Sequence, residues 1–64
     1  MFVTIGTMTQ YVSQFGGEML LVTGNARIAT AYEAADCIAR LIVNGDKQME
    51  DAQKDFNRIY GNTK

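Results

Sequence analysis

The stretch Gly16-Gly17-Glu18-Met19-Leu20-Leu21-Val22-Thr23-Gly24-Asn25 decides the fold. Two dipeptides of the kind that close tight turns flank a short apolar run. In a two-residue hairpin loop the central residues take φ > 0, which Gly and Asn tolerate best. The run from Glu18 to Thr23 therefore reads as a strand paired on both sides. A loop at Gly24-Asn25 sets Thr23 opposite Ala26, Val22 opposite Arg27, Leu21 opposite Ile28 and Leu20 opposite Ala29. One face of that hairpin carries Met19, Leu21 and Ile28; the other carries Leu20, Val22, Arg27 and Ala29.

Toward the N-terminus, residues 7–15 fit two periods. As a strand, Thr, Tyr, Val and Phe suit a pleated surface and Gly16-Gly17 closes a further hairpin. As a helix, Thr7 caps it, Gln10 completes a T-x-x-Q box, and Met8, Tyr11, Val12 and Phe15 share a face that ends at Gly16. The strand is preferred. Residues 2–5 are also strand-like, and Gly6 is a bend or bulge.

Toward the C-terminus the signals are helical. Thr30-Ala-Tyr-Glu33 has capping-box spacing, and Ala34, Cys37, Ile38 and Leu41 form an apolar stripe with Ala31 and Ile42 beside it. Asp36 and Arg40 stand at i, i+4 with the acid first. Asn44-Gly45 stops this helix, and Asp46 can cap the next at once. The second stripe is Met49, Ala52, Phe56 and Ile59 with Tyr60, ended by Gly61. The tail 62–64 is expected to fray. The expected fold is α+β, a three-stranded antiparallel meander followed by an antiparallel helix pair (β-β-β-α-α), in one domain over residues 1–64. The helical reading of residues 7–15 gives β-α-β-β-α-α instead.

Sixty-four residues lie near the lower limit for a self-sufficient core. Such a core rarely supplies more than ~3–5 kcal/mol without a staple. The chain has one cysteine and no histidine, so an internal disulfide and the common structural zinc sets are excluded. Tight packing, self-association or a partner must supply the difference. Six basic against seven acidic side chains favour neither a polyanion nor an anionic membrane. No basic stretch leads into a long apolar segment near the N-terminus, and the longest apolar run, Met19 to Val22, is far too short to span a bilayer. The expected setting is cytoplasmic, a host cytoplasm if the gene is viral.

Chemistry has little to stand on. Cys37 lies on the apolar stripe with no histidine partner in the chain, so it reads as a core residue rather than a nucleophile. Glu50, Asp51 and Asp55 interleave with Lys47, Lys54 and Arg58 as on an ordinary solvated helix face. Their spacing matches no cation-binding loop. The glycine pairs lead into strands, not into a helix N-terminus, so they do not cradle phosphate. No enzyme activity, cofactor or metal is expected.

Recognition is the better-supported class. A helix pair covers one side of a three-stranded sheet, and Met19, Leu21 and Ile28 suit that covered side. Tyr11, Phe15, Leu20 and Val22 are left on the open side, with Arg27 among them, where alternation calls for polar residues. A contiguous apolar face of this kind marks an interface unless residues 1–8 fold back over it. The expected function is a non-enzymatic protein-binding module, a homodimer or a small modulator or inhibitor of a larger protein. Its size fits a phage- or plasmid-borne gene. Tyr11, Phe15, Leu20, Val22 and Arg27 are the expected contacts. The alternative is a single-stranded nucleic-acid binder stacking bases on Tyr11 and Phe15, against which Arg27 is the only cation in the first 39 residues.

Overall fold

Alternation along the first twelve residues builds the sheet and gives it two unlike faces. The computed structural model describes residues 1–61, and the tail expected to fray lies outside them. Strand β1 (Phe2–Ile5) pairs antiparallel with β2 (Met8–Tyr11), joining Phe2 to Tyr11, Val3 to Gln10, Thr4 to Thr9 and Ile5 to Met8. Gly6, at φ +62°, takes the first position of the two-residue loop, as type II′ hairpins require. Beyond the ladder Val12 N–H donates to Met1 O at 2.9 Å. A two-residue strand, β3 (Arg27–Ile28), pairs antiparallel with the other edge of β1, so the order is β2-β1-β3.

The chain is mixed α+β: a three-stranded antiparallel sheet, a closing helix pair and a third, short helix. The assignment of segments to strands differs from expectation. Residues 14–22 form helix α1 (Gln14–Val22), so the expected strand at 18–23, its hairpin at Gly24-Asn25 and its cross-strand pairs are not formed. Residues 7–15 divide: 8–11 are strand, and Ser13 caps α1 by accepting from Gly16 N–H at 3.0 Å. The helix with a Thr7 cap is likewise not formed. Gly24, at φ +77°, ends α1: its N–H bonds Leu21 O and the Asn25 N–H bonds Leu20 O, a Schellman closure. Gly45, at φ +67°, does the same for helix α2 (Ala31–Val43), with Gly45 N–H to Ile42 O and Asp46 N–H to Leu41 O. A left-handed glycine serves a hairpin and a helix end equally well, and here both serve as helix ends.

Helix α2 begins as expected. Thr30 Oγ1 accepts from Glu33 N–H, and the Glu33 carboxylate accepts from Thr30 N–H, completing the capping box. Helix α3 (Met49–Ile59) starts later than Asp46 would have it. The Asp46 carboxylate accepts from Gln48 N–H at 2.8 Å and holds a turn ahead of the helix, whose N-cap, Gln48, makes no side-chain cap bond.

Three layers result. Phe2, Thr4, Thr9 and Tyr11 share one sheet face by parity. Phe2 and Ala29 pack there with Ala34, Cys37, Ile38 and Ala52 of α2 and α3, and Leu41, Phe56, Tyr60 and Tyr11 border this core. The Phe2 ring lies 5.0 Å from Tyr11 and 6.4 Å, edge-on, from Phe56. Met1, Val3, Ile5, Met8, Gln10, Val12 and Ile28 belong to the other face. Helix α1 lies there, because a Cβ on Gly17 would collide with the Met1 side chain and crowd Val12. The central strand is thus covered on both sides, and Phe2, Val3 and Thr4 are fully buried. Residues 1–8 do not fold back as a lid; α1 has that place.

Candidate interaction face

Helix α1 is two-sided. Gly17, buried, with Leu20 and Leu21, half-buried, forms the side laid on the sheet. Phe15, Met19 and Val22 stand at i, i+4 and i+7, so they line the opposite side, and they are 74%, 51% and 82% exposed. Nine helical residues span roughly 14 Å at 1.5 Å per residue, too short to cover the sheet face from rim to rim. Met8 and Ile28, on the same sheet face, consequently remain more than half exposed. Glu18 is the only Asp, Glu, Lys or Arg before Arg27. The α1 layer therefore presents large apolar side chains with almost no charge among them. Apolar side chains are also exposed on the helix pair (Tyr32, Ile42 and Val43), but there they alternate with Asp36 and Arg40.

The expected contact residues separate accordingly. Phe15 and Val22 lie on the outward side of α1, and Leu20 lies beneath it. Tyr11 belongs to the opposite sheet face, half-buried against Phe2; burial and the nearby Asp55 and Asp51 carboxylates push its phenol up. Arg27 also faces the helix pair, because it pairs with Thr4 in the ladder. Its guanidinium binds Glu33 bidentately at 2.8 and 2.6 Å. The five residues do not form one sheet face. Met19, Ile28 and Met8 join the exposed set in their place. Met19 and Ile28 were expected under the helix pair. The i, i+4, i+7 spacing of Phe15, Met19 and Val22 behind a Ser13 cap is the signal that identifies them.

Glu33 ties the polar side of the sheet to α2. Besides Arg27 and Thr30 it accepts from Thr4 Oγ1 at 3.1 Å, while Thr4 Oγ1 lies 2.9 Å from Thr9 Oγ1. These bonds, led by Arg27 and the Thr30 backbone, hold the Glu33 carboxyl down at about 2. Asp55 is bonded to the Met1 amino group at 2.7 Å and to Arg58. Burial raises its carboxyl, but these two partners outweigh that and leave it below the ordinary value. Tyr60 Oη donates to Ala29 O at 2.7 Å, and burial foremost raises its phenol. Burial likewise raises the Cys37 thiol, against smaller opposing effects of Arg40 and the Tyr11 backbone. Each of these groups is committed to an internal partner or withdrawn from water.

An open apolar groove of about 230 Å³ runs between α2 and α3, lined by Ala35, Ile38, Ala39, Ile42, Gln53 and Phe56. Among the described residues no cluster of His, Cys, Asp and Glu is arranged to hold a metal ion, and no helix is long and apolar enough to cross a membrane. The chain matches no protein-family profile, no curated protein and no solved structure.

Proposed function

We propose that this chain is a protein-binding module whose docking face is the outward side of α1, with Phe15, Met19 and Val22 as anchors. The observation that carries the reading is that stripe. A helix already seated on its own sheet through Gly17, Leu20 and Leu21 keeps a second apolar side in water. Three anchors at i, i+4 and i+7 are the pattern by which one helix engages another apolar surface. Phe15 supplies a large side chain that a partner can desolvate, and Met19 adapts its shape to what it meets.

Binding rather than catalysis is favoured by the state of the reactive groups. Cys37 is buried with its thiol raised, Asp55 and Glu33 are spent on internal ion pairs, and among the described residues no nucleophile is set beside a base. Nucleic-acid stacking has weak support, since Tyr11 packs against Phe2 and the α1 layer carries only the acidic Glu18. The docked surface belongs either to a larger protein that this one modulates or inhibits, or to another copy.

Val22→Glu tests the reading, because Val22 is 82% exposed and contributes little to the interior. The variant should keep the helical circular-dichroism signal and unfolding midpoint of the natural sequence, yet lose the association that the reading predicts for the natural sequence in light scattering and affinity capture. Association undiminished by the buried charge would refute docking at α1.

A further inference from the structure

We infer that the occupant of the α1 layer is a second copy of this chain, with two α1 helices packed antiparallel about a twofold axis at Met19. The inference rests on the docking reading above and names its partner. Area is the first argument. A stable interface takes about 800 Å² from each side. That is roughly a sixth of this chain's 4565 Å². A footprint of that size on so small a molecule must take in most of one layer. The α1 layer offers five large side chains suited to it: Phe15, Met19, Val22, Ile28 and Met8, each more than half exposed.

Charge is the second. An interface buries unpaired charge only at a heavy cost, so the mate of a nearly uncharged layer must itself be nearly uncharged. The faces of α2 and α3 carry Asp36, Arg40, Glu50 and Lys54. The α1 layer of another molecule meets the requirement, and a twofold contact of a patch with itself closes without leaving a free end.

The stripe also sets the register. Antiparallel packing along rows four residues apart brings Met19 against Met19 of the second copy and Phe15 against Val22 of the second copy. Glu18 flanks the stripe and keeps its carboxylate at the rim, in water.

Variants of the full chain with one added cysteine read this register, the native Cys37 being buried. Under a mild oxidant Met19→Cys should form a covalent dimer by itself. Phe15→Cys and Val22→Cys should each form no disulfide alone and cross-link when mixed. Sedimentation of the natural sequence should show a dimer whose population rises with concentration. A natural sequence that stays monomeric when concentrated overturns the second copy. If it nevertheless binds a different protein in a manner abolished by Val22→Glu, docking at α1 survives without it. A self-associating chain in which Met19→Cys gives no covalent dimer also overturns the inference. That result would point to α1 seated head-to-tail in the α2–α3 groove, and Ala39→Glu should then dissociate it. Association that survives both Val22→Glu and loss of the Met19→Cys cross-link removes the docking reading as well.

Discussion

Helices α1 and α2 are built with the same ends and opposite sides. Each starts on a hydroxyl N-cap, Ser13 or Thr30, and each stops at a left-handed glycine with Schellman bonds, Gly24 or Gly45. Between the ends they diverge. In α2 Ala34, Cys37 and Ile38 gather toward the core, and charged Asp36 and Arg40 share the outer side with exposed Tyr32, Ile42 and Val43. In α1 they occur all round the helix, on the sheet through Leu20 and Leu21 and away from it through Phe15, Met19 and Val22. A helix apolar all round belongs between two layers. This chain supplies only one of them. The outward side of α1 is thus not explained by the interior of the molecule, and it is the side on which the proposed docking rests.

The comparison can be broken at the point where α1 meets the sheet. Gly17 lets the helix backbone approach Met1 and Val12, and a branched side chain there must push both aside. Gly17→Leu should lower stability by about 1–3 kcal/mol, the usual range for overpacking. The equivalent test on α2, a leucine at exposed Ala35, should change stability far less. Equal unfolding midpoints for the two variants in a denaturant titration would mean that α1 is not seated on the sheet.

The shared ends sharpen it. Gly24→Ala and Gly45→Ala each force a Cβ into the left-handed region, where nothing else crowds it. Each should cost about 1–2 kcal/mol from backbone strain alone. Gly24→Ala should fray α1 specifically, speeding amide exchange at Asn25 and Gly24, whose N–H groups close the Schellman motif. Faster exchange confined to Met8–Tyr11 would place Gly24 in a strand connection instead.

Acid separates the two helices more gently. The Glu33 carboxyl is held at about 2 in the folded chain against an ordinary value of 4.5. A depressed carboxyl stabilises above its unfolded value, so this contribution is complete above pH 4.5 and disappears as pH falls toward 2. Asp55 acts in the same direction. Glu33→Gln should flatten the acid side of a thermal-stability profile at the N-terminus of α2, leaving the residual slope that Asp55 supplies. An unchanged slope would mean that the bonds from Arg27, Thr30 and Thr4 do not persist in solution.

The legible parts of the fold are those where one signal outweighs its rivals. Thr30 and Glu33 predict a helix start, Ala34, Cys37 and Ile38 share its buried side, and Asn44-Gly45 predicts its end; the structure has each of these. Class, sheet and helix pair follow. The segment 14–25 was illegible for a definite reason. A left-handed glycine followed by asparagine suits a helix end as well as a hairpin, and apolar residues on both sides of α1 mask the helical period. A strand at Glu18–Thr23 competes with the tighter Gly6-Thr7 hairpin and with the central position of residues 2–5 in the sheet. Of the expected contacts, Phe15 and Val22 are exposed, but on the outward side of a helix rather than on a sheet face, and the helical period parts them from Leu20. Tyr11 and Arg27 are not, because which sheet face they occupy follows from pairing with β1, a long-range choice that local spacing does not encode.

Solvent access at the Met19 methyl group, followed by its NMR resonance with a soluble paramagnetic agent at rising protein concentration, tests the account most directly. The account predicts strong broadening in dilute solution and progressive protection on concentration, as another surface covers α1. Protection already complete in the dilute chain, or broadening that concentration and added partner never relieve, would contradict it.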